Sequence, residues 1–179
     1  MITRCPLREQ LKAAEQFSDI YKQGSYGENV LGVSTEEYYS FIRIGKLCEL
    51  VFSSWLHEQG VGHEAPDMLL PHAAAHRLGA DLQLTLTGQE VDVKAANKAF
   101  HKRILIREDQ FAAHQHDIYI GAKYHSDTCV TIHGYATASD LQASAVQDFG
   151  YGPCRALLLE QLKPMKLFLA YLELGEKVR

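Results

Sequence analysis

The chain has 179 residues, a formal net charge of −4, and 46% hydrophobic and 22% charged residues. This length accommodates one domain with a sizeable core, and the balance excludes a collagen-like, coiled-coil or wholly disordered chain and a uniformly basic nucleic-acid coat. Cys5, Cys48, Cys129 and Cys154 form no CxxC pair, so free thiols in a reducing compartment are expected.

The start, MITRCPLREQLKAAEQF, has no hydrophobic signal core. No stretch approaches the roughly 20 apolar residues of a membrane span, so the expectation is a cytoplasmic protein without a membrane partner. No repeat or linker divides the chain, which reads as a single α/β domain over 1–179 with an N-terminal helical segment, about 1–33. Within it, residues 6–23 carry Leu7, Leu11, Ala14, Phe17 and Ile20 or Tyr21 at helical spacing, and GSYGENVLG then breaks the pattern.

Ser34 with Glu37 three residues later makes a capping box ahead of YYSFIRIGKLCELVFSSWL. A helix is predicted over about 34–59, with a possible break near Gly45. Most of it is apolar, yet Glu49 stands in its middle. A buried lone carboxylate is costly, so Glu49 either lies on a solvated edge, caps a neighbour, or has a chemical use.

GADLQLTLTGQEVDVKAANK, residues 79–98, reads as a hairpin. Leu82, Leu84 and Leu86 alternate, Gly88 supplies the turn, and Val91 and Val93 alternate again. A two-residue loop puts Asp81 on the same sheet face as Asp92 and Lys94, whereas a three-residue loop puts it on the opposite one. The leucines and valines of the other face can pack on a helix. Two carboxylates and a lysine together are either an ordinary charged surface or a set of hard oxygen donors such as Mg²⁺ accepts, with a cation placed to hold water.

Downstream, residues 107–112 read as a helix beside the sheet, and DIYIGAKY and TCVTIHGYA as two strands rich in β-branched residues. VTIHGYATASDL reads as a strand ending in a Gly-aromatic-Ala-Thr turn and a capped helix. KPMKLFLAYLEL begins a last helix near Pro164, its apolar stripe facing the core. Among the histidines, His72 and His76 are four apart and His114 and His116 two apart, while His125 and His133 stand alone. No HExxH, GxxxxGK[ST], dinucleotide or GxSxG motif is present, and a zinc hydrolase built on the histidines is the minor alternative.

An acid in a long first helix, an Asp on one hairpin strand and DxK on the next resembles the PD-(D/E)xK nuclease superfamily, over about residues 34–135. The resemblance implies a restriction-endonuclease-like core, a central mixed β-sheet flanked by helices, and a Mg²⁺-dependent DNA endonuclease in which Mn²⁺ substitutes. Carried onto this sequence, Asp81 and Asp92 bind the metal with the backbone carbonyl of Val93, and Lys94 positions the attacking water. Glu49 matches the helix acid, as catalytic residue and further metal ligand, and Gln110 the glutamine near the active site. The literal Pro-Asp pair is Pro66-Asp67, 25 residues before Asp92, so Asp67 is the alternative first ligand. DxK stands where ExK is commoner.

From Lys94 through Arg107 there are five basic residues, His101 and no acid. On the nuclease reading, Lys98, His101, Lys102, Arg103 and Arg107 contact DNA phosphates as this segment passes over the site. A homodimer is expected, because a duplex has two strands to cut. The alternative function is an inactive nuclease-fold module that binds DNA or supports assembly.

Overall fold

The computed structural model of the chain describes residues 1–23, 33–66, 68, 79–150 and 152–176. Asp67, His72, His76 and the glycine-rich stretch at 24–32 lie outside them. Among the described residues no helix is long and apolar enough to cross a membrane, and all four cysteines are free thiols.

The N-terminal segment is not wholly helical. Strand β1 (Ile2–Arg4) precedes α1 (Arg8–Gln23) and pairs antiparallel with a strand more than a hundred residues away, a partner no local pattern reveals. Helix α2 (Thr35–Glu58) starts where Ser34 accepts a hydrogen bond from the Glu37 N–H at 3.2 Å. It runs unbroken through Gly45, where a side chain would meet nothing within 4 Å.

The rest of the chain builds two sheets. In chain order come β2 (Leu82–Gln83), β3 (Glu90–Ala96), β4 (Arg103–Arg107), α3 (Glu108–Ala113), β5 (Ile118–Ser126), β6 (Cys129–Thr137), α4 (Ala138–Gln142), β7 (Val146–Asp148), β8 (Pro153–Leu158) and α5 (Met165–Glu176). A mixed five-stranded sheet has the order β1-β6-β5-β3-β2, in which only β3 and β5 pair in parallel. A second sheet of order β4-β8-β7 is antiparallel. The chain is therefore α/β, with a mixed sheet flanked by helices.

Period-two geometry divides the core. One cluster gathers Leu47, Val51 and Phe52 of α2, Phe168 of α5, and Leu82, Val91, Val93, Ile118, Ile120 and Ile132 of the large sheet. The other gathers Ala96, Ile104, Ile106, Phe111, Tyr119, Ala136, Leu141 and Leu162. The valines of β3 and isoleucines of β5 thus face the long helices, while Asp92, Lys94 and Tyr119 take alternate positions facing the second sheet.

The hairpin loop differs from both expected lengths. Register Leu82↔Val91 and the Leu84 N–H bond to Gln89 O leave four residues, 85–88, between the arms. The Gly88 N–H donates to Leu84 O at 2.8 Å, and Gly88 takes a φ of 68°, which suits glycine. Leu86 is consequently loop, 69% exposed. Four is an even number, so the expected face of Asp81 survives.

Gly134-Tyr135-Ala136 is not a turn either. All three lie within β6, and Gly134 pairs with Gly121 of β5. This glycine pair lets residues 159–163 cross the sheet at backbone distance, with Tyr135 and Lys163 exchanging both main-chain hydrogen bonds at 3.0 and 2.8 Å. The predicted helix cap is present: Thr137 and Asp140 form a capping box for α4.

Candidate functional site

Asp81 stands one residue before β2. Its Oδ2 accepts the Val93 N–H at 2.7 Å, which ties it to β3 between Asp92 and Lys94. Asp92 is buried, 6% exposed, and its Oδ2 lies 2.8 Å from Lys94 Nζ. The parallel register sets Tyr119 beside Asp92, and α3 brings Gln110. Asp81, Asp92, Lys94, Gln110, His114, His116 and Tyr119 together line a recess of about 140 Å³. A recess of about 170 Å³ elsewhere is lined by Leu84, Leu86, Leu169 and Leu172 among others. Carboxylates and a lysine converge only in the smaller one, so chemistry rather than size selects it.

The electrostatics show an excess of negative charge. Burial, reinforced by the carboxylates of Glu49 and Asp92, holds Asp81 well above the usual carboxylate range. Burial opposes the charge on Lys94, but Asp92 and Asp81 outweigh it and keep the ammonium above its ordinary value. Lys94 is therefore a proton donor here, not a free amine. Burial also raises Glu49, against the pull of Lys46.

Glu49 is not on a solvated edge. It is 8% exposed and paired with Lys46 at 2.5 Å, one turn earlier on α2. Its Oε2 is engaged by Lys46, and its charge helps to raise Asp81.

The basic segment leaves the recess along β3 and comes back to it along β4. β3 runs roughly 13 Å from Asp92 to Ala96 at about 3.3 Å per residue before the turn that holds Lys98 and His101. The chain then returns as β4, and Ile106 lines the recess. Local pattern does not reveal residues 103–107 as a strand, because the partner β8 is fifty residues away. Lys98 pairs with Glu37 and lies over Phe41, and Arg107 pairs with Asp109 at 2.5 Å. Burial, Lys123 and Lys98 push His101 down, so it stays neutral. Lys102 and Arg103 are exposed, and among the described residues neither has an ion-pair partner.

Sequence reasoning missed Tyr119, Glu90 and the proximity of the two histidines to them. Glu90 Oε2 accepts from His114 Nε2 at 2.6 Å and from His116 Nδ1 at 3.1 Å. Burial works against the charge on Glu90, but the two imidazoles prevail and hold its pKa below the ordinary value. The i, i+2 spacing of the histidines is the only sequence signal; the strand partner that completes the group is not legible.

No protein-family model matches the chain, and no curated protein matches it.

Proposed function

We propose that the chain is a divalent-cation-dependent DNA phosphodiesterase built on a restriction-endonuclease-like core, with this recess as its active site. The observation that carries the reading is the Asp81–Val93 hydrogen bond, because it gathers two carboxylates, the Val93 backbone and Lys94 at one point. The two carboxylates and the Val93 carbonyl are hard oxygen donors, the chemistry Mg²⁺ or Mn²⁺ takes. Asp81, Asp92 and the Val93 carbonyl would hold the cation, which when bound polarises the scissile phosphate and lowers the pKa of a water.

Each side chain then has a distinct task. Lys94 is held charged by Asp92, so it orients the attacking water by donating to it and does not serve as the base. Gln110 and Tyr119 supply further polar contacts for a phosphate or its water shell. Glu49, paired with Lys46, acts through its charge on Asp81. The recess is below the roughly 300 Å³ at which small-molecule sites begin, so it admits a phosphate group while the rest of a polymer crosses its mouth. Lys102 and Arg103 supply unpaired charge for neighbouring phosphates, and two copies of the chain would serve the two strands of a duplex.

The test is cleavage of supercoiled plasmid, linear duplex, single strand and a four-way junction, with Mg²⁺ or Mn²⁺ against EDTA. Cleavage that needs metal and is lost in Asp92→Ala supports the reading, and the preferred substrate names the subclass. DNA binding without cleavage of any form would replace it by the inactive binding module.

A further inference from the structure

We propose that Glu90, His114 and His116 form a binding site for a first-row transition cation of the Zn²⁺ class, separate from the carboxylate pair. Their ligand atoms lie within 4.8 Å of one another. Glu90 is on β3, and the two histidines are on the segment joining α3 to β5, where alternate residues of extended chain project to one side.

Geometry and donor chemistry both favour a cation. Zinc bonds of about 2.0–2.2 Å at tetrahedral angles place neighbouring ligand atoms roughly 3.3–3.6 Å apart. The contacts of 2.6 and 3.1 Å around Glu90 Oε2 thus need to open by only a few tenths of an ångström to a little under one. Two imidazoles with one carboxylate suit zinc, cobalt or iron, whereas Mg²⁺ takes oxygen.

The site is built rather than a chance meeting of surface groups. His116 is 9% exposed, its backbone N–H donates to Tyr119 Oη at 3.1 Å, and its ring meets the Tyr119 ring edge-on. The Glu90 N–H donates to Asp117 Oδ2 at 2.9 Å. These bonds hold the backbone that carries His116 and Glu90, and the ring contact limits the His116 imidazole. Both imidazoles also line the recess that contains Asp92, and three protein ligands would leave a tetrahedral cation one open position, as in catalytic zinc sites.

This site stands whether or not the chain cleaves DNA. The probe is Co²⁺ alone, titrated into metal-stripped protein and followed by visible d–d absorption. Wild type and Asp81→Asn are expected to share one equivalent with an intense, low-symmetry spectrum, distinct from the weak absorption of any Co²⁺ held by oxygen at the carboxylate pair. His114→Ala, His116→Ala and the near-isosteric Glu90→Gln are expected to weaken binding at least as much as the roughly 10–100-fold that outer-shell changes cost. Far-UV circular dichroism checks that each variant is folded; Glu90→Gln keeps the shape of the group if a histidine variant is not. The absence of Co²⁺ binding, a spectrum that survives Glu90→Gln and both histidine changes, or its loss in Asp81→Asn would each overturn a separate site.

Discussion

The Val93 N–H donates to Asp81 Oδ2 at 2.7 Å. This bond spans the open end of the hairpin and inserts a carboxylate between Asp92 and Lys94, which flank Val93 on β3. It uses a donor that the short strand β2, ending its ladder at Leu82↔Val91, leaves available. The cost is an aspartate whose charge is opposed by burial and then by Glu49 and Asp92.

That cost predicts a stabilising substitution. A carboxyl whose folded pKa exceeds its unfolded value binds its proton more tightly when folded, so stability is highest below the ordinary aspartate range and falls as pH rises toward the folded pKa. Asp81→Asn keeps the acceptor for Val93 and removes the charge. In EDTA it should melt above wild type at neutral pH, by roughly 2–4 °C per kcal/mol, with the gap closing as pH falls toward about 4. Calorimetry at several pH values checks this; a variant that melts below wild type throughout contradicts it.

Lys94→Met should have the opposite effect on stability, because Asp81 and Asp92 lose the cation that offsets them. Cleavage should disappear while DNA binding at low salt persists, since Lys94 orients water inside the recess. Filter binding beside a nicking assay separates the two effects.

Lys102 and Arg103 should carry part of the salt dependence of DNA binding. Replacing both by alanine should make the slope of log K against log salt shallower by roughly 0.9 for each phosphate that the two side chains neutralise. An unchanged slope would place the DNA elsewhere.

Gly134→Ala tests the crossing of residues 159–163 over the sheet. The new methyl would sit 2.8 Å from Leu162 Cβ and still closer to Lys163 O, which is backbone. Overpacking of this kind costs about 1–3 kcal/mol, whereas Gly45→Ala, in open space on α2, should gain about 0.5–1 kcal/mol. Denaturant midpoints of the two variants should therefore move in opposite directions.

The parts of this fold that sequence could reveal are those written locally. Ser34 caps α2, the leucine and valine alternation marks the hairpin, and an even loop, though of four residues and not two, brings Asp81 to Asp92 and Lys94. The hidden parts depend on pairings distant in sequence. The parallel register that sets Tyr119 beside Asp92, the β4–β8 pairing that makes a strand of Arg103–Arg107, and the meeting of Glu90 with His114 and His116 each join segments that local periodicity treats separately. Glu49 is conspicuous as an acid among apolar residues, but its partner Lys46 decides what it does.

The most direct test of the recess as a hydrolytic centre is the single-turnover rate of plasmid nicking in Mg²⁺ by wild type, Asp81→Asn and Asp92→Ala. Metal-dependent nicking by wild type is expected, with a loss of at least about a hundredfold in each variant, the scale of removing one preorganised charge-stabilising group. Equal rates in wild type and Asp92→Ala would contradict a hydrolytic role for the recess.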